Sequence, residues 1–161
     1  RMFEHFSKTL NIPVSIIRLN YACEPRYGVL VDIAQKVWSG EPVDVSMGWF
    51  NIIWQGDANA QTIQSFDHAA SPAWHVNVTG EQRLSIRDTA MKFGELMDKK
   101  PQLTGAEVDT ALLSNSAQAR KLFNPPRVTV EQLMSWIADW TMRDGVNLGK
   151  PTHFEARDGK Y

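Results

Sequence analysis

Arg18, Asn20 and Tyr21 close the run PVSIIRLNY over residues 13–21, and they bring polar chemistry to the end of an apolar stretch. Ile16-Ile17 after a proline reads as a buried strand. Sheets of α/β proteins place ligands beyond the carboxyl ends of their strands, so Asn20 and Tyr21 are candidate ligand contacts. The plainer alternative is that Asn20 hydrogen-bonds its own loop. Arg18 is expected to be structural, buried and paired, because a charge in apolar surroundings needs a partner.

Other residue types with chemical potential are less promising. Cys23 has no local histidine or lysine to lower its pKa, which argues against a nucleophile. His5, His68, His75 and His153 lack ligand spacing, and surface or core roles fit them better than a metal site. Trp38, Trp49 and Trp54, with Phe50 among them, fit core packing or an apolar substrate pocket. Asp57 is expected to cap a helix rather than to take part in catalysis. Asn77-Val78-Thr79 has the glycosylation acceptor pattern, but inside a strand-like run it is expected to be a chance occurrence.

Composition narrows the class. With 161 residues, 43% of them hydrophobic, the chain can bury a real core of about one domain. A net charge of −1 with mixed signs gives no reason to expect nucleic acid or an acidic membrane surface as partner. No apolar run is long enough to span a bilayer. One cysteine excludes an internal disulfide framework and fits a reducing, cytoplasmic setting.

The elements that must position these residues alternate between strand and helix. Met2, Phe3, Phe6 and Leu10 have helical spacing, and a strand over residues 13–19 follows. A helix over 27–38 carries Leu30, Ile33, Ala34 and Val37 on one face, with Gly40 as its stop. Short strands are expected over 43–45 and 50–54, the second ended by Gly56, and then a helix carrying Ala60, Ile63 and Phe66. A buried strand over 74–78 precedes Ser85 and Asp88, a weak capping box, and the stripe Ile86, Ala90, Phe93 and Met97. Ser114 is expected to cap a short helix ending at Leu122. Thr129 and Gln132 form a second capping box before Val130, Leu133, Ile137 and Trp140, and a polar tail begins near Gly145. This density of alternation predicts an α/β fold with at least part of its sheet parallel. Only the runs 13–19 and 74–78 look buried on both faces, and a two-stranded parallel sheet is not self-sufficient. The chain is therefore expected to be part of something larger.

Four segments, PVSIIRLNY, FNIIWQGDAN, WHVNVTGEQRLSIRD and LLSNSAQARKLFNPPRVTVEQLMSWIADW, occur in an order that resembles the extended short-chain dehydrogenase/reductase family, the NAD-dependent epimerase/dehydratase proteins. The likeness is to the C-terminal half and spans residues 1–142, with 143–161 as a tail. It implies the C-terminal portion of a Rossmann-type fold: two main-sheet strands plus a small α/β substrate lobe. It further implies that the nicotinamide end of NAD or NADP meets Leu19, Asn20 and Tyr21. A small-molecule substrate would meet Asn20, Tyr21, Phe50 and Asn51.

The family's glycine-rich dinucleotide loop and Tyr-x-x-x-Lys pair do not occur in the sequence, so the resemblance implies no catalytic constellation and no cofactor binding within this chain alone. Such loops hold a pyrophosphate through close backbone approach and a helix N-terminus. The family arginine of the Arg-Asp-Phe block falls on Phe50, the aspartate on Asn51, and a second arginine has no counterpart in residues 109–113. Missing guanidinium forks count against a nucleotide-sugar substrate. The expected function is the substrate-binding portion of an NAD(P)-dependent epimerase/dehydratase-like oxidoreductase, partnered by a missing N-terminal half or by self-association. The alternatives are a stand-alone non-catalytic interaction module, or a sensor that kept the fold without the chemistry.

Overall fold

A computed structural model describes residues 1–108 and 111–155. The chain order is α1 (Met2–Leu10), β1 (Ser15–Leu19), β2 (Ala22–Cys23), α2 (Val29–Ser39), β3 (Pro42–Asp44), β4 (Trp49–Phe50), β5 (Ile53–Trp54), α3 (Gln55–Gln64) with a 3-10 turn over Ser65–His68, β6 (Trp74–Val78), β7 (Leu84–Ser85), α4 (Ile86–Met97), β8 (Gln102–Thr104), α5 (Ala117–Leu122) and α6 (Val130–Met142). The fold is mixed α/β. β1 pairs with β6 in parallel, Ser15 opposite Trp74 through Leu19 opposite Val78. Three smaller pairs follow: β2–β5 and β3–β8 parallel, β4–β7 antiparallel.

The main core lies among α2, α4 and α6. Leu30, Ile33 and Val37 meet Ile86, Ala90 and Phe93 from α4 and Leu133 and Ile137 from α6, all buried. Each helix buries residues at three- and four-residue steps, as the sequence pattern predicts. Gly40 ends α2 in the left-handed conformation, at φ 76. The Ser85 hydroxyl accepts from the Asp88 amide, and Thr129 with Gln132 closes a reciprocal capping box. A second cluster, with Ile53, Ala58, Val76, Val78, Ala119 and Phe123, packs beneath β6.

Several expectations are corrected. Residues 49–54 form two short strands rather than one, because the chain changes pairing partner between them: β4 pairs with β7 and β5 with β2. α3 begins at Gln55, so Gly56 lies inside the helix and does not end a strand. A Cβ on Gly56 would sit 2.3 Å from the Trp54 indole, which folds back over it. Asp57 is correspondingly no cap: it is buried, and its Oδ2 accepts from the Val128 amide, tying α3 to the approach of α6. Ser114 does not cap α5, which starts at Ala117 after Ser116. Arg18 is exposed and makes no ion pair among the described residues, since one side of β1 is uncovered here. Met2, Phe3, Phe6 and Leu10 share a helix as expected but face outward, whereas Ser7 is the buried residue of α1. β8 escaped the sequence reading. The tail also packs: Phe154 is buried against the main core, and Thr152 donates twice to Asp32 on α2.

Candidate functional site

Because β1 and β6 run parallel and in register, their carboxyl ends deliver Asn20 and Thr79-Gly80 side by side. The Asn20 amide extends the ladder by donating to Val78 O at 3.1 Å. Tyr21 then takes φ 41, a left-handed conformation uncommon for a residue with a Cβ. That kink turns the chain onto β5, where the Ile53 amide donates to Tyr21 O at 3.1 Å. Tyr21 is half-buried against the main core.

Asn51 organises the ground behind this edge. Its Nδ2 donates to Gly80 O (3.1 Å) and Ser114 O (2.8 Å). Its Oδ1 accepts from Asn20 Nδ2 (3.0 Å) and the Ser114 amide (3.2 Å). Two donors and two lone pairs are all that an amide side chain has, so Asn51 is fully committed within the protein. Phe50 is 1% exposed in the main core. Thus Asn20 and Tyr21 stand at the edge, while Phe50 and Asn51 support them from inside. Asn20 bonds a distant segment rather than its own loop, and its Oδ1 makes no hydrogen bond among the described residues. Leu19, half exposed at the last position of β1, offers an apolar surface beside it.

Beyond this knot lies a cavity of about 180 Å³ lined by Asn51, Glu81, Arg83, Leu113, Ser114 and Arg120, among others. Arg120 is neutralised by an ion pair with Glu81. Arg83 makes no ion pair among the described residues; its guanidinium lies 4.2 Å over the Trp49 ring. The β4–β7 pairing, Phe50 opposite Leu84, brings it there. An uncompensated guanidinium beside amides and a serine suits an anionic group. The sequence reading missed Arg83; the available signal was its place three residues after Gly80, in the loop leaving a buried strand. Of the segment expected to lack the second arginine, residues 109 and 110 lie outside the described residues.

Cys23 is inert by environment. Burial pushes its thiol up to about 12, and its Sγ donates weakly to Tyr21 O at 3.7 Å. Among the described residues no His, Cys, Asp and Glu group could hold a metal ion, and no helix is long and apolar enough to cross a membrane.

The sequence matches no protein-family model and no curated protein. Solved structures are similar in fold. UDP-glucuronic acid 4-epimerase from Bacillus cereus, in complex with NAD, aligns over 88% of this chain and 47% of its own, with TM-score 0.72 and 14% identity. UDP-glucose 4-epimerase from Thermotoga maritima, with UDP-glucose, aligns over 89% and 50%, at TM-score 0.72 and 14% identity. The Bordetella bronchiseptica enzyme WbmF, in complex with NADH, aligns over 89% and 49%, at TM-score 0.72 and 16% identity. The fold is that of the C-terminal half of an extended short-chain dehydrogenase/reductase. The chain spans about half the length of these structures.

Proposed function

We propose that this chain is the substrate-side portion of an NAD(P)-dependent epimerase/dehydratase-like oxidoreductase. The observation that carries it is the placement of Asn20 and Tyr21 at the carboxyl ends of the β1–β6 pair, within a fold whose solved counterparts are crystallised with NAD or NADH. The cofactor's phosphates would be held by a cofactor-binding half, since no glycine-rich loop occurs in the sequence. Leu19, Asn20 and Tyr21 fit the nicotinamide end: an exposed apolar side chain, an amide oxygen without a partner among the described residues and a kinked backbone. When bound, the nicotinamide would supply hydride transfer. This chain's own residues bind and orient. Asn20 and Tyr21 meet a small-molecule substrate, Asn51 holds Asn20 in place, and Arg83 grips an anionic group of the substrate.

The test is a fluorescence titration in two arms. The 161-residue chain alone should give no saturable signal with NADH or NADPH. The chain joined to a cofactor-binding half, bearing a glycine-rich loop and a Tyr-x-x-x-Lys pair, should bind one of them. Micromolar binding by the chain alone, about −8 kcal/mol, would overturn the division of labour. Failure of the completed protein to bind either dinucleotide would replace the oxidoreductase reading with a non-catalytic sensor.

A further inference from the structure

Ser116 stands at the N-cap of α5 and is only 4% exposed, yet its side chain caps nothing. A serine at that position ordinarily accepts from an amide of the first turn. Here Asn115 Oδ1 takes the Ala117 amide instead, at 2.9 Å, and Ser116 Oγ makes no hydrogen bond among the described residues. Nor is that oxygen sealed. Among the described residues that are not exposed, the unpaired side-chain atoms closed to solvent are Ser15 Oγ, Gln61 Oε1 and Thr79 Oγ1. Ser116 lines the cavity of about 180 Å³ beside Arg83, so its free hydroxyl opens there.

The wall that carries it is held from behind. Ser116 O accepts from the Arg120 amide at 3.0 Å, and Asn51 bonds both the amide and the carbonyl of Ser114 in the same wall. Of the two guanidinium groups in the lining, Glu81 neutralises Arg120 and leaves Arg83 uncompensated. One free cation suits one negative charge, and a second would face the Glu81 carboxylate. The guanidinium fork matches a carboxylate, and a serine hydroxyl can both donate to and accept from a neighbouring hydroxyl. The cavity is smaller than the roughly 300–1,000 Å³ of pockets that enclose a whole ligand, so it suits one end of a molecule.

We propose that this cavity takes the hydroxycarboxylate end of a substrate, with the carboxylate on Arg83 and the adjacent hydroxyl on Ser116. The inference rests on the proposed function, in which Arg83 grips an anionic group, and it names that group. Ser116 is the specificity residue: an acid without the hydroxyl leaves its buried oxygen unpaired.

Ligand-detected NMR titrations of the full 161-residue chain test it, with glycerate, propanoate and inorganic phosphate as probes. Glycerate should bind saturably, and propanoate about tenfold more weakly, the value of one hydrogen bond. Phosphate, with its second charge, should also bind more weakly than glycerate. Ser116→Ala should bring glycerate down to the level of propanoate while leaving propanoate and the denaturant midpoint unchanged, because the hydroxyl has no protein partner. Arg83→Ala should abolish binding of both acids. Absence of saturation, equal binding of glycerate and propanoate, phosphate binding as tightly as glycerate, or indifference to either substitution would each overturn the proposal. If glycerate fails while the chain joined to a cofactor-binding half binds a dinucleotide, this inference falls and the oxidoreductase reading stands. Glycerate bound by a completed protein that takes neither dinucleotide supports the site and overturns only that reading.

Discussion

Asn51 joins Asn20, Gly80 and Ser114 through one amide, although Gly80 and Ser114 lie 29 and 63 residues away in sequence. Asn51→Ala leaves several of these groups without partners, at about 1–3 kcal/mol for each buried group stranded. Denaturant midpoints should show that loss, and Asn51→Asp should not rescue it, because a carboxylate keeps the acceptors and loses both donors. Arg18→Ala should instead fall within about 0.5 kcal/mol of the parent, the usual surface range. A loss of several kcal/mol would mean that Arg18 is paired. These two residues show what sequence can and cannot reveal. Asn20 and Tyr21 were legible as the polar end of an apolar run. Asn51 and Arg83 were not, because their roles depend on partners from strands that meet only in the folded chain.

At the scale of elements, periodicity was sufficient wherever one face is buried: α2, α4, α6, β1 and β6 all lie where the pattern predicts. It failed where local signals compete. Gly56 and Asp57 look like a stop and a cap, yet Trp54 folding over Gly56 lets the helix start earlier. The tail looked polar because its buried apolar residue, Phe154, stands among Thr152, His153 and Glu155. Burial raises the Asp32 carboxyl above its ordinary value of 3.8, while the two Thr152 bonds that tie the tail to α2 oppose the rise. The folded state therefore holds this proton more tightly than the unfolded chain, and stability should fall as pH rises from that ordinary value through the raised one. Asp32→Asn should flatten this part of a melting-temperature profile against pH. An unchanged slope would assign the titration elsewhere.

For the molecule as a whole, the decisive feature is the two-stranded β1–β6 sheet. β1 has β6 on one edge and no strand on the other among the described residues. Beside it in sequence, α1 leaves Met2 and Phe3 69% exposed and Leu10 61% exposed. Unpaired strand edges are templates for association, and large exposed apolar surface marks an interaction or aggregation site. The counterpart structures are about twice as long, and a cofactor-binding half is the occupant that the proposed function supplies for this edge. The chain alone should therefore self-associate, with a light-scattering mass that rises with concentration. Joining it to the cofactor-binding half should restore a defined mass and suppress binding of dyes that report exposed apolar surface. Phe3→Glu with Leu10→Lys should reduce association of the isolated chain without unfolding it, because neither side chain contributes to the core. A dilution-independent monomer that unfolds cooperatively and binds no such dye would mean that the chain closes its own core, and the open edge would then carry no partner.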